Sequence, residues 1–246
     1  MLTLNGDRVL MADSRNSKMK MIDLRTNKLM FEVSLQSQPQ SMCILSGERL
    51  AVCLPNKGRI QFLKTLGQLS LEEDINVYSR CLAIGYHNGR LIVSYTGGKF
   101  EIMDMGGNVV KTIDKDDSRQ SIFGKPSHLE VVSEDKTAVI YVSDSSKSTI
   151  TKLDMNLNIL RTFKDPALKA PEGITAVGNQ LLVCGWGSNN IMCMDLPSGK
   201  MTQLLGKVEG IERPRTVSYN HKQNHIYVTF DTSNSVKVYK EDQTLN

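Results

Sequence analysis

One segment of this chain is written six times, and that repetition limits the fold more than any other feature. The copies read LMADSRNSKMKMID (Leu10–Asp23), AVCLPNKGRIQFLK (Ala51–Lys64) and VSYTGGKFEIMD (Val93–Asp104), then YVSDSSKSTITKLD (Tyr141–Asp154), LVCGWGSNNIMCMD (Leu182–Asp195) and YVTFDTSNSVKVYK (Tyr227–Lys240). Each holds an apolar strand, a turn built from Asp, Ser, Asn, Gly or Lys, and a second, alternating strand. Successive copies begin about 41 to 49 residues apart, and a period of ~40–50 residues is that of repeat architectures, β-propeller blades above all.

Alternating apolar and polar residues place two further strands around each copy, and turn residues separate them. NGDR, SGER, HNGR, SEDK and GNQ precede the second strand of successive blades, and Asn-Gly favours a two-residue hairpin turn. MGGN (Met105–Asn108) and PSGK (Pro197–Lys200) join third strands to fourth strands in the same way. Longer loops near Pro39, Pro126, Pro166 and Pro214 connect the blades. A helical period of 3.6 residues is not sustained anywhere. The expected fold is therefore all-β: one six-bladed propeller of four-stranded antiparallel blades, over 1-35, 41-75, 80-115, 126-165, 171-206 and 214-246. A closed ring of that kind hides most sheet edges. Blade six retains only Gln243–Asn246 for an outer strand. The expectation is of a domain cut from a longer chain, with upstream sequence supplying or reinforcing that strand.

A chain of 246 residues suits a single all-β domain. Its 40% hydrophobic content is ordinary, and its net charge of +4 permits an anionic partner without requiring one. The five cysteines, Cys43, Cys53, Cys81, Cys184 and Cys193, are odd in number and show no CxxC spacing. They read as reduced thiols in a cytoplasmic protein. No apolar run approaches the ~18 residues of a membrane span, so no membrane partner is expected.

The later copies carry a resemblance. IYVSDSSKSTITKLDMNLNILRTF, PEGITAV and HIYVTFDTSNSVKVY resemble the NHL repeat, in which an inner "P-x-G-I-A-V" strand precedes "I-Y-V-A-D-x-x-N-x-R-I-x-x-F-D" and "G-x-x-L-x-x-F". Copies from Pro126 to Lys240 fit well, whereas those at Ala51 and Val93 depart from the pattern, with Pro55 and Gly97-Gly98 in their turns. The diverged set is similar to the C-terminal propeller of tripartite-motif (TRIM) ubiquitin ligases. That resemblance implies an upstream RING, B-boxes and coiled coil, with oligomerisation through the coiled coil and ligase activity outside this domain.

Catalytic propellers converge carboxylates, Asn or His at the centre of the ring, typically around a metal. The inner strands here offer His128, Glu130, Asn5 and Asn220, and a lone His on an apolar strand reads first as a core residue. His221 and His225 flank a turn with no further ligand at metal spacing. No phosphate loop, GxSxG elbow or HExxH is present. No catalytic residue, cofactor or metal is expected.

Binding is left, through the loops of one face. Over those expected loops twelve cations stand against nine acids, a surplus of three. The candidate binding residues are Arg80, Arg119, Phe123, Lys125, Lys169, Trp186, Arg213 and Arg215. Trp186, the single Trp, sits in GWGSNN, and Phe123 in the long loop DDSRQSIFGKP. Exposed aromatics beside Arg or Lys suit stacking on single-stranded RNA and equally anchor protein interfaces. Alternatively, Trp186 packs over a neighbouring blade and Phe123 plugs its loop. Two functions follow: recruitment of a protein substrate or regulator to a ligase, or sequence-specific binding of single-stranded RNA. A metal-dependent hydrolase or lyase is the third. The acids of the same loops discriminate between the first two, by facing the cations or turning away.

Overall fold

The computed structural model describes residues 1–4, 7–115, 120–134 and 136–240. It divides into two compact units, Met1–Pro126 and Ser127–Asn246. Among the described residues there are twenty-three strands and one 3-10 turn, at Pro55–Lys57. The six antiparallel meanders are the propeller blades expected from the repeats.

In the first unit, blade one is β1 (Leu2–Leu4), β2 (Arg8–Asp13), β3 (Lys18–Asp23) and β4 (Lys28–Ser34). Blade two is β5 (Met42–Leu45), β6 (Arg49–Leu54), β7 (Arg59–Lys64) and β8 (Ser70–Asn76). Blade three is β9 (Cys81–His87), β10 (Arg90–Tyr95), β11 (Phe100–Asp104) and β12 (Val109–Ile113). In the second unit, blade four is β13 (Pro126–Glu134), β14 (Thr137–Asp144), β15 (Thr149–Asp154) and β16 (Ile159–Phe163). Blade five is β17 (Pro171–Val177), β18 (Gln180–Gly185), β19 (Asn190–Asp195) and β20 (Met201–Leu205). Blade six shows three strands among the described residues: β21 (Pro214–Asn220), β22 (His225–Phe230) and β23 (Val236–Lys240). The stretch expected to give it an outer strand lies outside the described residues, as does Asn5.

The turns follow from their residues. Asn88 and Gly89 both take positive φ, 46° and 76°, as a type I′ hairpin requires. The two copies that depart from the repeat pattern close the same hairpin by other means. Blade two uses the 3-10 turn capped by Gly58 at φ 60°, and blade three uses Gly97 and Gly98, both at φ 90°. Where a third strand ends in Asp, its carboxylate holds the next turn. Asp104 Oδ1 accepts the N–H groups of Gly106 and Asn108 at 2.9 Å, and Asp154 Oδ1 those of Asn156 and Asn158 at 2.8 Å. These bonds, with the Asn108 side-chain amide first, hold the Asp104 carboxyl below the usual range.

The core lies in layers between consecutive blades of one unit. In the first unit, Leu10, Met19 and Met21 of blade one pack on Leu50, Val52 and Leu63 of blade two. Ala51, Cys53 and Phe62 then pack on Ile84, Leu91 and Val93 of blade three. In the second unit, Tyr141 and Ile150 meet Leu181, Val183 and Met192, and Leu182, Cys184 and Ile191 meet Val217, Ile226 and Val228. The middle strands β6 and β18 are thus covered on both faces. Leu50–Leu54, Leu91–Tyr95 and Leu181–Gly185 are buried at every residue, so the apolar run is continuous there and the alternation disappears.

Stacked strands with two apolar faces still have polar backbone to satisfy. Ala12, Cys53, Ser94, Ser143, Cys184 and Thr229 occupy one equivalent position of the second strands, fixed by pairing with Met19, Ile60, Phe100, Ile150, Ile191 and Val236. Ser94 Oγ accepts from the Ala83 N–H at 3.0 Å and donates to the Pro126 carbonyl at 3.3 Å. Ser143 Oγ accepts from the His128 N–H at 3.1 Å and donates to the Glu172 carbonyl at 2.6 Å, joining the inner strands of blades four and five. Replacing Ser143 by Ala strands both groups in the core and is expected to cost about 1–3 kcal/mol in urea unfolding. Ser143→Cys, which retains a weak donor, is expected to lose less.

Candidate functional site

In the second unit, the turn between β18 and β19 carries Trp186, and it is held from below. Trp186 N–H donates to the Ala170 carbonyl at 3.3 Å and Gly187 N–H to that of Lys169 at 3.0 Å. Ser188 Oγ accepts from Lys169 N–H at 3.1 Å, and Asn190 Nδ2 donates to Ala167 O at 3.0 Å. A Cβ on Gly185 would lie 2.2 Å from Asn190 Oδ1 and Ser188 Oγ, so any other residue there displaces the two side chains that tie the turn down. Trp186 is half-buried, with its indole Nε1 enclosed and lacking an acceptor. The Arg213 guanidinium lies over its ring, 5.4 Å from the centroid. Arg213 is held at φ 46°, its N–H donating to Asn189 Oδ1 at 2.9 Å and its carbonyl accepting from Asp231 N–H at 3.1 Å. Lys169 and Arg213 are exposed.

Two of the acids in these loops turn toward a cation, and two others hold backbone N–H groups. Arg215 stands 3.9 Å from Glu172 Oε1 and 3.6 Å from Asp231 Oδ1, with Glu172 buried. Glu209 Oε2 accepts from Gly206 N–H at 2.7 Å, and Asp165 Oδ1 from Ala167 N–H at 2.8 Å. Five of the sequence-derived residues thus divide: Lys169, Trp186, Arg213 and Arg215 share one loop cluster of this unit, whereas Phe123 lies in the first unit.

Phe123 is not on a surface. It is 1% exposed, with its ring centroid 4.6 Å from that of Phe100. Its carbonyl would lie 2.1 Å from a Cβ on Gly98, so its loop packs against the glycine turn and the ring serves as a plug. The exposed aromatic of this unit is Tyr78, at 81%. It sits in the β8–β9 loop two residues before Arg80, with Lys99 Nζ 4.1 Å from its ring centroid. Lys99 is itself paired at 2.5 Å with the buried Glu101, which also accepts from Tyr95 Oη at 2.7 Å. Arg80 and Lys125 are exposed; Arg119 lies outside the described residues. Sequence reasoning passed over Tyr78, although NVYSR joins an aromatic to a cation in an inter-blade loop.

His128 and Glu130, two residues apart on β13, lie on one face of that strand. Burial pushes His128 down to about 4 and Glu130 up to about 7, the latter against a hydrogen bond from the Ala176 N–H. His128 Nδ1 is buried without a partner. No group of three or more His, Cys, Asp or Glu suited to a metal occurs among the described residues, and among them no helix is long and apolar enough to cross a membrane.

Two measurements check this geometry. In a double-mutant cycle of Trp186→Ala and Arg213→Ala, urea unfolding is expected to show a coupling of about 0.5–1 kcal/mol, as for a partly exposed cation–π pair. The β13 pair makes opposing pH terms. His128 binds its proton less readily folded than unfolded, so its term favours folding increasingly as pH rises from about 4 to about 6.5. Glu130 binds its proton more readily folded, so its term erodes stability as pH rises from about 4.5 to about 7. Stability of the wild type is expected to be nearly flat across the shared window. Glu130→Gln is expected to gain stability with rising pH there, and His128→Gln to lose it.

No protein-family model and no curated protein matches the chain. Solved structures do. A functionally unknown protein from Desulfotomaculum acetoxidans DSM 771 is 14% identical, over 97% of this chain and 77% of that one, with a TM-score of 0.69. Kuenenia stuttgartiensis hydrazine synthase is 14% identical over 97% and 93%, with a TM-score of 0.68. Streptogramin B lyase is 12% identical over 98% and 81%, with a TM-score of 0.69. At these identities the likeness is one of fold, and it spans nearly the whole chain.

Proposed function

We propose that the chain is a non-catalytic recognition module that takes a protein partner on its loops. The observation that carries this reading is charge compensation. Arg215 faces Glu172 and Asp231, Lys99 faces Glu101, and Arg59 meets Asp74 at 2.9 Å. Arg213 is laid over Trp186. A strand of RNA draws its affinity from phosphates meeting unopposed cations and from bases reaching open aromatic faces; these loops spend much of both internally. Within the first unit, the Lys99–Glu101 and Arg59–Asp74 pairs beside the exposed Tyr78 have the composition of a protein interface. The repeat resemblance supports the finer reading that the partner is a substrate or regulator recruited to a TRIM-type ubiquitin ligase. The free thiols, four of them buried, suit the reducing cytoplasm.

Incubation with a pool of random short single-stranded RNAs at roughly 50 and 200 mM salt tests the choice. Binding at the lower salt is expected to disappear at the higher without enrichment of any sequence. Enrichment that survives and is abolished by Trp186→Ala or Arg213→Glu would replace this reading with RNA recognition.

A further inference from the structure

The Tyr78 loop of the first unit has the attributes of a prepared contact. Both its ends are tied to neighbouring turns: Val77 N–H donates to the Gly58 carbonyl at 2.8 Å, and the Arg80 carbonyl accepts from Thr96 N–H at 3.0 Å. One face of the Tyr78 ring rests on the Lys99 ammonium, which the buried Glu101 fixes in place. The ring is therefore held while 81% of the residue stays open to water. A tyrosine ordered before binding loses little entropy on binding.

Charge around the ring is uneven. Lys99 and Arg59 are neutralised by Glu101 and Asp74. Arg80 and Lys57 are exposed and make no ion pair among the described residues; Arg80 Nη2 donates to Asn56 Oδ1 at 3.3 Å, and Lys57 is the next residue of that same 3-10 turn. Two unopposed cations, on adjoining turns rather than converging on one point, stand beside an open aromatic ring.

Resting on the protein-recognition reading above, we infer that Tyr78, Arg80 and Lys57 form a docking surface for an acidic peptide segment. An apolar or aromatic side chain of that segment lies on Tyr78, and Asp or Glu carboxylates along it meet Arg80 and Lys57. Cations spaced on separate turns match charges spread along an extended chain better than the concentrated charge of a single phosphate. A nucleic acid would present a phosphate at every residue, and two free cations answer too few of them.

Panning the full chain against a random 12-residue phage-displayed peptide library tests this. The expected result is enrichment of peptides holding Asp or Glu near an aromatic or large apolar residue. Synthetic versions are expected to bind at least about tenfold more weakly to Tyr78→Ala and to Arg80→Glu, and no more weakly to Lys28→Glu, an exposed control on the outer strand of blade one. Neutral or basic enriched peptides, or acidic ones indifferent to Tyr78→Ala and Arg80→Glu, would overturn this inference while leaving protein recognition standing. Recovery of no enriched peptide would count against protein recognition itself. A phosphoserine version bound at least tenfold tighter than its Asp counterpart would overturn the carboxylate assignment. Binding of oligo(U) RNA that Tyr78→Ala removes would transfer the surface to nucleic acid.

Discussion

The two-sided burial of the middle strands is the constraint on which the rest of the structure depends. A strand packed against one neighbour can alternate, but β6 and β18 have a blade of their own unit on either face, and their buried runs Leu50–Leu54 and Leu181–Gly185 hold no polar side chain. Such a strand has no side left for water, so inner-strand groups beside it need a partner within the stack. Ser94 and Ser143 supply one, each hydroxyl accepting from one backbone and donating to another. Cys53 and Cys184 hold the same place with a thiol, which packs as a small apolar group. Two of the five free cysteines are thereby explained as members of a positional series.

Much of the fold was readable because its determinants are local. Asn88-Gly89 adopts the turn that only such a pair adopts easily. Third strands ending in Asp are followed by turns that the same Asp organises. Even the irregular copies at Ala51 and Val93 carry their solution in sequence, as Pro55 with Gly58 and as Gly97-Gly98. The exception is the run of the middle strands. Its length identifies a strand, but its continuous hydrophobicity comes from a second blade that no local window contains.

The surface was less legible, for the complementary reason. Phe123 and Tyr78 both lie in inter-blade loops near cations, and their fates are opposite. Gly98 opens a slot that the backbone of Phe123 enters, and Phe100 receives its ring; those residues are distant in sequence. Tyr78 instead meets Lys99, whose charge is already claimed by a buried carboxylate, so the ring stays outside. Likewise, a tally of cations and acids could not show that Glu172 and Asp231 both turn toward Arg215. Net charge is a property of composition, whereas compensation is a property of pairs.

The glycines around Trp186 have a consequence of another sort. Gly185 has no room for a Cβ, and Gly187 little more, against Lys169 at 3.2 Å. Asn190 and Ser188 are also tied down, by bonds to Ala167, to Lys169 and to each other. The shape of this loop is thus set by residues that display nothing, while the residue it displays contributes little to that shape. Scaffold and cargo are separable: the bonds that hold the hairpin run through Ser188 and Asn190 and not through the Trp186 side chain, whereas a side chain at 185 would push Ser188 and Asn190 out of those bonds. That division lets a blade be given a new specificity without being given a new fold.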